Sequence, residues 1–147
     1  MADRTFTLDE AQALVPVLEG LLRTAMDGKK TIESVQAEIE GVRKQVFVSG
    51  GMFVPIISLA RRKSQHDKAV QRVRDALGEI DSAGVQVKDL DMGLLDFPCR
   101  VEEREILLCW KLGEPRIAHW HSTTEGFAGR KPIDEKIERA GKNKKPN

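Results

Sequence analysis

The chain has 147 residues, with 24 Lys and Arg against 23 Asp and Glu, 40% hydrophobic residues, two cysteines and no tyrosine. That length and apolar share predict one domain with a modest core rather than disorder, and two cysteines are too few to staple a secreted mini-protein. No apolar run approaches the roughly 18 to 20 residues of a membrane span, and Met1 to Glu10 lacks the basic-then-apolar order of a secretory signal, so a cytoplasmic protein is expected.

A net charge of +1 argues against a whole-molecule nucleic-acid binder, yet it conceals an uneven distribution. Residues 1–60 carry 6 basic and 8 acidic side chains, and residues 61–80 carry 6 and 3. Residues 81–130 carry 6 and 9, and residues 131–147 carry 6 and 3. The acidic stretch also holds His119 and His121, which makes it the place to look for chemistry.

Thr7-Leu-Asp-Glu10 fits a capping box and predicts a first helix over about residues 7–26, with Leu8, Ala11, Val15, Leu18, Leu22 and Ala25 forming its apolar stripe. Pro16 removes one backbone donor inside that stripe, so a kink is expected there. Asp27-Gly28 is expected to break this helix. A second helix over about 29–48 carries Ile32, Val35, Ile39, Val42 and Val46 at alternating steps of three and four, a seam suited to packing along another helix. Ser49-Gly-Gly51 and Pro55 form the clearest break in the chain. A third helix over about 55–82 has Leu59, Val70, Val73, Leu77 and Ile80 on its stripe, with His66 among them, read as an interhelical hydrogen-bonder in preference to a ligand. Its basic residues, Arg61, Arg62, Lys63, Lys68, Arg72 and Arg74, suit a solvated face or pairing with acids of a neighbouring helix; phosphate binding is the less favoured reading.

After Ala83-Gly84 the period changes from helical to alternating. Val85 to Val87 is a short strand, Leu94 to Phe97 a second one ended by Pro98, and Glu103 to Leu112 the strongest strand in the chain. Ile106, Leu108, Trp110 and Leu112 share the face expected to meet the helices, leaving Glu105, Leu107, Cys109 and Lys111 on the other. Arg116 to Ser122 returns after the turn Gly113-Glu-Pro115. The sheet therefore spans about residues 85–122 as an antiparallel meander. The predicted fold is α+β: an N-terminal antiparallel bundle of three helices, followed by this small meander packed on the helices. Residues 1–130 form the single domain and 131–147 a charged, flexible tail in which Asp134 to Ala140 can form a helical turn.

His119-Trp-His121 is the sharpest chemical feature, because residues two apart on a strand share a face. Both imidazoles can approach one divalent metal ion there, with Glu125 a further ligand and Glu114, Asp89, Asp91 and Asp96 other carboxylates within range. The competing reading pairs these histidines with nearby acids on a half-exposed strand. Glu125-Gly-Phe-Ala-Gly-Arg130 flanks an aromatic residue with glycines and ends on a guanidinium able to grip a carboxylate or phosphate. As a structural loop, it would plug the core with Phe127 and bridge Arg130 to Glu125 or Asp96. Cys99 follows Pro98 in a turn, and Cys109 reads as a small buried apolar residue.

Val87-Lys-Asp-Leu90, Gly93-Leu-Leu-Asp-Phe-Pro98, Leu108-Cys-Trp-Lys-Leu-Gly-Glu114, Trp120-His121 and Glu125-Gly-Phe-Ala-Gly-Arg130 together resemble the prokaryotic domain-of-unknown-function family numbered 2203. Phe6-Thr-Leu-Asp-Glu-Ala11 with Leu14-Val-Pro16 is similar to the start of that family. The resemblance implies no established activity, substrate or cofactor. It does imply that Lys88, Asp89, Asp96, Glu114, His121, Glu125 and Arg130 are motif positions, whereas His119 occupies a less fixed one. A polar site of Asp96, Glu114, His121, Glu125 and Arg130 is accordingly expected on the sheet half, with Lys88 and Asp89 beside it.

The leading expectation is a binding or interaction domain that self-associates, as a dimer, through its long helices. The alternative is a metal-dependent hydrolase using His121 with nearby carboxylates. Weak nucleic-acid binding through the basic third helix and tail is a third reading.

Overall fold

The computed structural model describes residues 4–48, 50 and 56–140. The capping box forms as its sequence predicts: Glu10 N donates to Thr7 Oγ1 at 3.1 Å and Thr7 N donates to Glu10 Oε1 at 2.9 Å. Helix α1 starts there, but it runs unbroken over Leu8–Val48, 41 residues, and α2 covers Ile56–Ser82. The expected bundle of three helices is thus a hairpin of two, and the break predicted at Asp27-Gly28 does not occur.

The physical reason lies in packing. A Cβ placed on Gly28 would come within 2.6 Å of Val73 Cγ2 and 3.3 Å of the Ala69 carbonyl oxygen, so the glycine lets the two helices approach closely. An interior glycine costs a helix only about 1 kcal/mol relative to alanine, which close packing readily offsets. Asp27 stays helical too, its carbonyl accepting from Thr31 Oγ1 at 3.2 Å. Of the predicted break at Ser49-Gly-Gly51 and Pro55, only Gly50 is among the described residues, at φ +76°, a conformation glycine adopts without penalty.

The chain divides into two compact units, residues 1–22 with 77–147, and residues 23–76. In the second unit Val35, Ala69 and Ala76 are buried, while Ile32, Ile39, Val42, Leu59, His66, Val70 and Val73 are only half-buried. Arg62 pairs with Glu38 of α1 at 2.8 Å, as the reading of acids on a neighbouring helix expects, whereas Lys63 pairs within α2 with Asp67 at 3.5 Å.

The first unit holds a five-stranded antiparallel sheet in chain order, the predicted meander with one strand more than expected. Its strands are β1 (Gln86–Asp89), β2 (Leu94–Val101), β3 (Arg104–Lys111), β4 (His119–Ser122) and β5 (Lys131–Pro132). Leu95, Phe97 and Cys99 of β2 pair with Trp110, Leu108 and Ile106 of β3. All six are buried, in the same unit as buried Ala11, Val15, Leu18, Leu22 and Ile80. Phe6 packs edge-to-face on Phe97, with ring centroids 5.7 Å apart.

Pro98 does not end β2, and Cys99 is buried within the strand rather than lying in a turn. Strand β1 pairs only as far along β2 as Asp96, and the Pro98 carbonyl faces that open side, accepting from Phe6 N. The proline's missing N–H therefore points away from β3 and costs the ladder no bond. Beyond residue 130 the chain stays structured: β5 pairs with β4, and helix α3 (Glu135–Ala140) buries Ile137 behind an Asp134 cap. Residues 141–147 of the expected tail lie outside the described residues.

Two substitutions separate packing from propensity. Gly28→Ala should lower stability by about 1–3 kcal/mol through overpacking. Gly41→Ala, with nothing within 4 Å of its new methyl, should raise it by about 0.5–1 kcal/mol. Urea unfolding of both variants checks the pair, and a stabilising Gly28→Ala would contradict the close approach.

Candidate functional site

Pairing across the sheet assembles the site. Asp96 on β2 lies opposite Cys109 on β3, and Cys109 lies opposite His119 on β4. His121, two residues further along β4, points to the same face. Its Nε2 sits 3.1 Å from both oxygens of Asp96, and both side chains are almost completely buried, at 2% and 1% exposure. The other ring nitrogen, Nδ1, lies 2.8 Å from the Ser122 carbonyl oxygen. A carbonyl only accepts, so Nδ1 carries a hydrogen, and a second proton is held between Nε2 and the Asp96 carboxylate. An acid sealed in this core is tolerable only because it is paired and hydrogen-bonded.

Cys109 completes a buried trio. Ligand atoms of Asp96, Cys109 and His121 all lie within 4.8 Å of one another. Burial pushes the Cys109 thiol up to about 12, the Asp96 charge adds to the rise, and Arg130 opposes it. The thiol therefore stays protonated at neutral pH.

A second cluster surrounds Glu114. Arg130 Nη2 donates to Glu114 Oε1 and Oε2 at 2.8 and 2.7 Å, and to His119 Nδ1 at 2.9 Å. Because a guanidinium only donates, His119 Nδ1 is the bare nitrogen, so its 3.9 Å approach to Glu114 is not an ion pair. Glu114 also accepts from Lys111 N at 2.8 Å, and its carbonyl accepts from Trp110 Nε1 at 3.1 Å, which ties the β3–β4 turn to the sheet. Arg130 stacks on Phe127 at 4.7 Å, and its Nε is buried without a hydrogen-bond partner. Arg130 thus bridges to Glu114 rather than to Glu125 or Asp96. Phe127 lies at the surface, not in the core.

Glu125 acts at one remove. Its Oε1 accepts from Lys131 Nζ at 2.6 Å and from Ser122 N at 3.1 Å, while Glu125 N donates to the Ser122 carbonyl. That carbonyl is the one that orients His121. The Lys131 bond, then the bond from Ser122, hold the Glu125 carboxyl down at about 2.

Of the expected polar site, Asp96 and His121 form one contact pair and Glu114 and Arg130 another, with Cys109 feeling the charge of both. Glu125 braces the adjoining loop. Asp89 instead caps Met92 N at 3.0 Å in the β1–β2 turn, and Lys88 is exposed on β1. The expected metal trio of His121, His119 and Glu125 is not drawn together, since His119 Nδ1 faces Arg130 and Glu125 faces Lys131. Cys109 is the residue that composition alone hides. The alternation of β3 already placed it opposite the helix-facing side, and pairing with β2 puts it against Asp96.

A cleft of about 570 Å³ opens beside His119, lined among others by Asp9, Gln12, Arg116 and Glu138. Gln12 helps shape it, its Oε1 accepting from Ile117 N at 2.8 Å.

Fold and clusters together define an α+β domain built round an internal acid–thiol–imidazole network. The chain belongs to the family described as "Uncharacterized conserved protein (DUF2203)", whose model matches residues 4–133. No curated protein and no solved structure matches it.

Truncating either partner of the buried pair strands the other. Asp96→Ala and His121→Ala should each cost about 3–5 kcal/mol of stability, and the double variant less than their sum. Chemical denaturation of the full cycle measures this; additive losses would mean that the two side chains do not interact. Glu125 stabilises the fold above its ordinary value of 4.5, and that contribution fades as pH falls towards 2. Carboxyl-carbon NMR should place its midpoint near 2, and Lys131→Met should move the midpoint back towards 4.5; an unmoved midpoint would refute the Lys131 bond.

Proposed function

We propose that this protein is a self-associating binding domain whose helical unit joins two copies and whose sheet unit offers the polar cleft beside His119. One observation carries the reading. Phe47 and Val48 at the end of α1 are 86% and 84% exposed, and Ile56 and Ile57 at the start of α2 are 72% and 71% exposed. Large apolar side chains gathered in sequence at one end of a hairpin mark an interaction surface when they are this exposed. The half-buried seam of Ile32, Ile39 and Val42 extends the apolar surface, and a two-fold dimer would let the same patch cover itself.

The cleft beside His119 supports a binding role for the sheet unit, because its volume falls within the roughly 300–1,000 Å³ usual for small-molecule sites. Arg116, Asp9 and Glu138 would supply polar contacts there. The hydrolase reading gains less support. A substrate would have to reach His121, which is sealed in the core with Asp96.

Sedimentation equilibrium should give a dimer, and Phe47→Ser with Ile57→Ser should shift it to monomer without changing helix content. A wild-type chain that stays monomeric at high concentration would refute self-association.

A further inference from the structure

The strands β2, β3 and β4 deliver a carboxylate, a thiol and an imidazole to one buried point, and we propose that Asp96, Cys109 and His121 form a structural site for a zinc-like divalent cation. The inference does not rest on self-association, and a failed dimer test leaves it standing.

The donor chemistry comes first. A thiolate beside an imidazole favours a borderline-soft cation such as zinc over magnesium or calcium, which prefer oxygen-only shells. The donor orientation comes second. His121 Nδ1 donates to the Ser122 carbonyl, so the ring is fixed with Nε2 facing Asp96 and the cluster. A backbone carbonyl holding the distal ring nitrogen is the usual outer partner of a metal-bound histidine. Both oxygens of Asp96 stand equally close to Nε2, at 3.1 Å, so that carboxylate can offer two donors and bring the total to four.

Charge balance is the third support. The cation displaces the Cys109 thiol proton and the proton shared by Asp96 and His121, releasing two protons to solvent. What remains is a thiolate, a carboxylate and a neutral imidazole around a doubly positive ion, a site of zero net charge. A neutral assembly is what a sealed, low-dielectric position tolerates. Glu114 and Arg130 are paired with each other at 2.7 Å, so the neighbouring cluster adds no net charge to that balance. Asp96 and His121 already stand 3.1 Å apart, and with Cys109 Sγ within 4.8 Å of both, modest closure around an ion brings all three to metal bonds of about 2.0–2.3 Å.

Cobalt(II) is the probe, used with the full chain purified without a metal-affinity tag. One equivalent should survive gel filtration and show the near-ultraviolet charge-transfer absorption of a cobalt–thiolate bond. Cys109→Ser should abolish that band, whereas Cys99→Ser should keep it. X-ray absorption of the loaded wild-type protein should find one sulfur in the metal's coordination shell, a readout that stands even if Cys109→Ser fails to fold. No retained metal, a band that survives Cys109→Ser, or a shell without sulfur would each overturn the site.

Discussion

The sheet unit depends on the buried contact between Asp96 and His121. Water is excluded from both side chains, so neither can be left alone without a large desolvation penalty, and their mutual orientation constrains everything around them. Asp96 fixes β2 against β3 and β4 from the side away from Phe97 and Trp110. His121, locked at its other nitrogen by Ser122, fixes the end of β4 and the start of the loop that follows. A polar pair in such a place is less forgiving of altered register than an apolar contact would be, because a one-residue slip of β2 or β4 would turn its member of the pair to the opposite face and strand the other.

Two exposed or half-exposed ion pairs brace that core contact from outside. Lys131 holds Glu125, Glu125 closes the turn at Ser122, and the Ser122 carbonyl holds the ring of His121. Arg130 holds Glu114, which secures the preceding turn through Lys111 N. The two cations are adjacent in the chain, Arg130 following a single-turn 3-10 helix at Phe127–Gly129 and Lys131 opening β5. The glycine-flanked loop is therefore a clamp on the polar face, and its arginine and lysine are spent on intramolecular carboxylates. Among the described residues no helix is long and apolar enough to cross a membrane.

Much of this was legible in the sequence wherever a local rule governs. The Thr7 and Glu10 cap, the alternation through Ile106, Leu108 and Trp110, and the glycine turns between strands each express constraints acting within a few residues. The misjudged features are settled by distant partners. Gly28 has the residue type of a helix break, and only Ala69 and Val73 reveal why it sits inside a helix. Pro98 looks like a strand end until the short reach of β1 shows that its missing donor faces an open side. The motif positions Asp96 and His121 do meet, but nothing short of the strand register could show that Cys109 meets them, or that Glu125 works through a backbone carbonyl. Asp89 caps Met92 N in the β1–β2 turn, a local role that its motif does not reveal.

The central claim is that His121 is held at both nitrogens, by Ser122 on one side and Asp96 on the other. Nitrogen-15 NMR of the imidazole ring in the metal-free protein tests it most directly. The account predicts a slowly exchanging hydrogen on Nδ1 and an Nε2 signal that shifts when Asp96 is replaced by Asn. A bare Nδ1, or an Nε2 indifferent to Asp96→Asn, would contradict it.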